Sequence, residues 1–222
     1  MRWTLPNVLT VMRLIAAPGV AVMFLYFHRP WADWFALTLF IVAAITDWFD
    51  GYIARRWQQE SKFGAMLDPI ADKAMVVIAL VIITGYSGMN PWLILPVTLI
   101  LFREVFVSGL REFLGAKAGL LKVTKLAKWK TTAQMVAIAV LFLGTGLEHV
   151  EGIARRGLTT EQYAGLVTQG LADPLRSCGA RGCSSVATQV GLGLIWLAAV
   201  LTMLTGWDYF RKSMPHLKED TP

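Results

Sequence analysis

Five intervals of this chain carry no Asp, Glu, Lys or Arg: those between Arg13 and Arg29, Asp33 and Asp47, Lys73 and Arg103, Lys130 and Glu148, and Arg181 and Asp208. A helix lying on a water-soluble core keeps a charged or polar outer face along its length. These intervals supply no charge for one. The Lys73–Arg103 interval contains Gly85-Tyr86-Ser87-Gly88-Met89-Asn90-Pro91, a turn signal, so it divides into two helices. Six hydrophobic helices follow, near residues 7–28, 31–56, 62–85, 91–113, 128–147 and 188–210. A membrane crossing takes about 20 residues, a length that several of these helices reach only when the charged end is counted. The fold class expected is therefore all-α: a polytopic membrane protein of six transmembrane helices, in which one end of each helix does polar work. The whole chain, 1–222, reads as a single membrane domain.

Composition agrees and excludes other classes. The chain is 55% hydrophobic and only 16% charged, against about 45–50% and about 25% for a soluble domain. Disorder and a soluble nucleic-acid binder are excluded despite the net charge of +6. The basic excess reads by position instead. With the N-terminus inside, the loops after helices 2 and 4 and the C-terminal tail hold most of the lysines and arginines, among them Arg55, Arg56, Lys117, Lys122, Lys125 and Lys212. The other side holds Arg29, Arg155, Arg156, Arg176 and Arg181, diluted by Glu148, Glu151, Glu161 and Asp173. The positive-inside rule then places both termini in the cytoplasm, and the location expected is a bacterial inner membrane. Arg13 interrupts the first apolar stretch and no small-residue cleavage site follows it, so helix 1 is read as retained.

Residues 148–188 are Gly-rich and polar and read as an outer-side, periplasmic loop, with Thr159 or Thr160 capping a short amphipathic helix. Cys178 and Cys183 are the only cysteines. On the outer side of a bacterial membrane, a small-loop disulfide between them is the expectation; two unpaired thiols are the alternative.

The acids at the inner ends of helices 2 and 3 carry the chemistry. Asp47 and Asp50 are spaced i, i+3, and Asp68 and Asp72 i, i+4, so each pair shares one helix face. Pro69 is tolerated in a first helical turn, which places the start of helix 3 only a few residues before Asp68. Four carboxylates at one membrane depth repel unless neutralised. Divalent cations held by oxygen ligands are one answer, and two such ions would clamp a phosphoryl group. Salt bridges to Arg55, Arg56 and Lys73 are the plainer alternative. Gly51 and Gly64 lie beside the acids, where a small residue admits a ligand or another backbone.

Asp47-x-x-Asp50-Gly51-x-x-Ala54-Arg55, followed after eight residues by Gly64-x-x-x-Asp68-x-x-x-Asp72, resembles the signature of the CDP-alcohol phosphotransferase family at all eight fixed positions. The resemblance implies transfer of a phosphatidyl group from CDP-diacylglycerol to an alcohol, with release of CMP. It implies two divalent cations, Mg²⁺ or Mn²⁺, on Asp47, Asp50, Asp68 and Asp72, with Asp72 also the general base. Gly51, Arg55, Ser61 and Gly64 would receive the CDP moiety. Asn7 and Thr10, in Asn7-Val8-Leu9-Thr10-x-x-Arg13, resemble the family's amino-terminal nucleotide-contacting segment. A homodimer through helices 3 and 4 is implied by the same likeness.

The acceptor is read from later residues. Arg103-Glu104, Leu110-Arg111-Glu112-Phe113 and Lys128-Trp129-Lys130-Thr131-Thr132 resemble the members of that family that use sn-glycerol 3-phosphate, the phosphatidylglycerophosphate synthases. An anionic acceptor calls for cations, and Arg103, Arg111, Lys128 and Lys130 are the candidates to hold its phosphate. Pairing of Arg103 with Glu104 and of Arg111 with Glu112 competes with that role. Lys117, Lys122 and Lys125 read as topology signals or contacts to membrane phospholipid head groups. Other acceptors (inositol phosphate, serine, phosphatidylglycerol) are the alternatives within the family. An ion transporter is the alternative outside it, and would place its acids near the bilayer midplane.

Overall fold

In the computed structural model the described residues are 5–28, 31–57, 62–115, 125–155 and 186–218, with a few positions between 157 and 169. They form six helices: α1 Leu5–Tyr26, α2 Trp31–Trp57, α3 Lys62–Tyr86, α4 Pro91–Leu114, α5 Lys125–Arg155 and α6 Val186–Lys218. Among the described residues four segments are long and apolar enough to cross a membrane: Asn7–Tyr26, Pro91–Leu114, Trp129–Val150 and Val186–Pro215. A shorter apolar stretch, Trp31–Thr46, lies in α2. The helices fall into two compact units. One comprises α1, α2, α3, the part of α5 from Ile138 and the start of α6; the other comprises α4, the start of α5 and α6 from Leu192.

In the first unit, α1 packs against α2 and α3. Its buried stripe is Asn7, Thr10, Arg13, Ala17, Val20 and Phe24, a helical period of three to four. Outside that stripe Met12, Ile15 and Leu25 are 61%, 67% and 73% exposed, while Arg13 is only 4% exposed. Polar residues inward and large apolar residues outward is the pattern of a helix surrounded by lipid. Along the stripe, Thr10 meets Asp68, Arg13 meets Asp72 and Phe24 meets Tyr86. Residue numbers rise together, so α1 and α3 run parallel. Phe27 meets Phe35, and Gly19 faces Leu39, so α2 runs antiparallel to α1.

The rings of Phe24, Phe40 and Phe142 fill the middle of this unit, with Tyr86 against Phe24 at 4.7 Å. The Tyr86 hydroxyl donates to the Phe24 carbonyl at 2.8 Å. Small residues bring α5 and α6 together: a Cβ at Gly144 would stand 2.5 Å from Thr188 Oγ1, and one at Gly191 2.8 Å from Leu141 Cδ2.

In the second unit α4 begins with Asn90 as N-cap, its side chain accepting the Trp92 N–H, and Pro91 at the first helical position. Met89, at φ 60, and Gly88, at φ 64, make the turn before it. Pro96 lies inside α4 and brings no N–H to the ladder, which releases the Trp92 carbonyl one turn back. Trp196 of α6 donates its indole N–H to that carbonyl at 2.9 Å. Phe106 and Phe210 pack farther along the same two helices, so α4 and α6 run parallel.

Several expectations are corrected. α3 starts at Lys62 as expected, but Pro69 sits inside it, beyond the first turn. Helix 5 does not stop near 147; α5 continues to Arg155, and Gly157, at φ 69, follows its end. α6 continues past 210 to Lys218, through Pro215. Thr159 is the cap beyond α5: its hydroxyl accepts from the Gln162 N–H, and the Gln162 side chain accepts from the Thr159 N–H. Cys178 and Cys183 lie outside the described residues.

Candidate active site

The α3 carboxylates project from one face, one turn apart, and Gly64 one turn before them is buried. Each receives a donor from α1. Thr10 Oγ1 donates to Asp68 Oδ1 at 2.7 Å, and Arg13 Nη1 donates to Asp72 Oδ1 at 3.2 Å. The spacing explains the match: a three-residue step on α1 meets a four-residue step on α3, each close to one turn. Thr10 is 1% exposed and Asn7 4%. The ion pair is lopsided, with the Arg13 side chain 2% exposed and the Asp72 side chain 51%. Asp68 is half-buried.

The backbone of α2 carries residues 47–57. Its antiparallel register to α1, continued from Leu39, brings 47–50 toward the end of α1 that holds Asn7, Thr10 and Arg13. The side chains of Asp47, Asp50 and Arg55 lie outside the described residues, as do the surroundings of Gly51 and the whole of Ser61. Among the described residues no three His, Cys, Asp or Glu side chains gather as a metal cage. Of the expected set, Asp68 and Asp72 are described: two carboxylates one turn apart beside a buried glycine, the oxygen ligands a hard cation takes, with one Asp72 oxygen already paired to Arg13.

Arg103, Arg111 and Lys130 belong to the second unit. Arg103 and Lys130 both pair with Glu104, and their side chains are 12% and 8% exposed. The competing ion pair expected for Arg103 is thus formed, and it includes Lys130 as well. Arg103 also reaches Thr205 Oγ1 at 3.4 Å, and a Cβ at Gly206 would come within 2.8 Å of its Cγ. Arg111 stands over the Tyr209 ring, 5.2 Å from its centroid. The Lys128 side chain lies outside the described residues.

The family model for CDP-alcohol phosphatidyltransferases matches residues 3–173. The chain belongs to that family. Within it, a curated relative from Cereibacter sphaeroides, named CDP-diacylglycerol–glycerol-3-phosphate 3-phosphatidyltransferase, is 82% identical over 220 residues, covering 99% of this chain and 100% of the relative. Relatives of the same name from Salmonella choleraesuis and Escherichia coli K12 are 44% and 43% identical over 143 residues, 64% of this chain and 78% of each relative. The likeness read from Asp47 to Asp72 thus falls inside the matched segment of a CDP-alcohol phosphatidyltransferase.

Two features of this family member escaped the sequence reading. Arg13 closes the motif Asn7-Val8-Leu9-Thr10-x-x-Arg13 with no role implied there; its signal is its place three residues after Thr10 on the Asn7–Thr10 face. Glu104 was read only as a competitor for Arg103, although it also holds Lys130.

Proposed function

We propose that this chain transfers the phosphatidyl group of CDP-diacylglycerol to sn-glycerol 3-phosphate, forming phosphatidylglycerol phosphate and CMP. The observation that carries the reading is the near-full-length relative that bears the name of this activity. The α1–α3 arrangement supports it, because it holds two of the four expected carboxylates in fixed register.

In this reading Asp72 takes the proton of the acceptor hydroxyl as its oxygen attacks the lipid-bearing phosphorus in line. The bond from that phosphorus to the bridging oxygen breaks, and CMP leaves with the electron pair. Asp47, Asp50, Asp68 and Asp72 would hold two Mg²⁺ or Mn²⁺ ions, which when bound offset the pyrophosphate charge. Asn7, Thr10, Gly51, Arg55, Ser61 and Gly64 receive the nucleotide end. Arg103, Arg111, Lys128 and Lys130 hold the acceptor phosphate; two of them, Arg103 and Lys130, also pair with Glu104. The lipid tails stay in the bilayer.

The same reading includes six spans in one membrane domain, both termini and the active site on the cytoplasmic side of a bacterial inner membrane, and residues 148–188 outside with a Cys178–Cys183 disulfide. It also includes a homodimer.

The test offers labelled CDP-diacylglycerol to the purified full chain with sn-glycerol 3-phosphate, inositol 1-phosphate, serine or phosphatidylglycerol, with and without Mg²⁺ or Mn²⁺. CMP release that requires the metal and sn-glycerol 3-phosphate is expected. Release with serine but not with sn-glycerol 3-phosphate overturns the acceptor.

A further inference from the structure

We propose that Arg13 is the positioning residue for Asp72, holding one oxygen of that carboxylate so that its exposed side meets the acceptor hydroxyl. The proposal rests on the reading of Asp72 as the base. Its ground is the asymmetry of the pair. Arg13 is 2% exposed at its side chain and Asp72 is 51% exposed, with 3.2 Å between Nη1 and Oδ1. Enclosing an ion pair to join two helices costs desolvation that the attraction repays only when both partners are closely fitted and every polar atom is satisfied. Here the cation alone is enclosed, and the anion opens outward. A guanidinium is planar and keeps its charge, so it fixes the direction of a carboxylate as well as its presence.

The neighbouring contact points the same way. One turn along, Thr10 holds Asp68 at Oδ1. α1 therefore supplies one orienting donor to each described acid of α3, and the face that does so is its buried stripe. A charge kept inside a lipid-facing helix is costly, and a carboxylate that offsets the charge of Arg13 is the one assigned to take the proton.

The experiment compares wild-type full chain with Arg13→Met and Arg13→Lys in detergent. It measures kcat, the KM for each substrate, and the rise in Tm caused by CDP-diacylglycerol without acceptor. Arg13→Met is expected to lose about 100-fold in kcat, the effect of a displaced catalytic group. Both KM values should stay within about three-fold, because ground-state binding is kept. The CDP-diacylglycerol-induced rise in Tm should match wild type, and Arg13→Lys should recover much of the lost kcat. Three results overturn the proposal: kcat of Arg13→Met within about three-fold of wild type; loss of the CDP-diacylglycerol-induced rise in Tm, which would make Arg13 a nucleotide-binding group; or Arg13→Lys no better than Arg13→Met. If Arg13→Met does not fold, Arg13→Gln, which keeps N–H donors without the charge, is judged by the same criteria. Should wild type release CMP only with a different acceptor, the proposed function fails, and Arg13 is tested with that acceptor.

Discussion

Thr10 donates its hydroxyl hydrogen to Asp68 across 2.7 Å, joining residues 58 apart in the chain. A hydrogen bond to a charged group contributes about 1.5–3 kcal/mol. Thr10→Val keeps the shape and removes the donor. About a ten-fold loss in kcat/KM for CDP-diacylglycerol is expected, the equivalent of about 1.4 kcal/mol, with a lower Tm in detergent. Unchanged kinetics would mean that the contact serves packing alone.

Asp72→Asn is the decisive variant for the proton transfer. The amide keeps the size and cannot take the proton. General-base contributions are about 10²–10⁴-fold, and a kcat loss of that order is expected, with CDP-diacylglycerol still raising Tm. Activity within about three-fold of wild type would exclude Asp72 as the base.

Gly144 and Gly193 make a matched pair of tests for close packing. A Cβ at Gly144 meets the Thr188 backbone nitrogen at 2.9 Å, whereas one at Gly193 meets nothing within 4 Å. Overpacking costs about 1–3 kcal/mol, so Gly144→Ala should lower Tm. Gly193→Ala gains helix propensity of up to about 1 kcal/mol and should hold or raise Tm. Thermal unfolding in one detergent measures both.

Glu104 is the shared counter-ion of Arg103 and Lys130. Removing one member of an enclosed ion pair costs about 3–5 kcal/mol. Glu104→Gln should therefore lower Tm sharply. Adding Lys130→Met removes one stranded cation, so the double variant should melt above Glu104→Gln. A double variant that melts lower still would show that Lys130 is held by other partners.

The helices were legible in the sequence because charge is so scarce. Each charge-free interval marks an apolar segment, and Gly85–Pro91 marks the turn between α3 and α4. The ends of α5 and α6 were less legible. Glu148, Glu151 and Arg155 suit a solvated helix as well as a loop, and α5 keeps all three, ending at Arg155. Pro69 misled for a related reason: a proline limits a helix only locally, and α3 continues on both sides of it. The spacing of Asp68 and Asp72 was readable because both lie on one helix. Their donors were not, since a pairing between Arg13 and Asp72 depends on the register of two helices and no spacing within either one reports it.

The burial of Arg13 bears on how the chain enters a membrane. Its partner Asp72 lies 59 residues later, and at about 5–20 residues per second a ribosome takes about 3–12 s to make that stretch. During that interval α1 carries a positive charge that α3 has not yet arrived to meet. An unpaired charge in a lipid-facing helix is costly, so α1 is expected to settle fully only with α3, the first helices forming as a set rather than one by one.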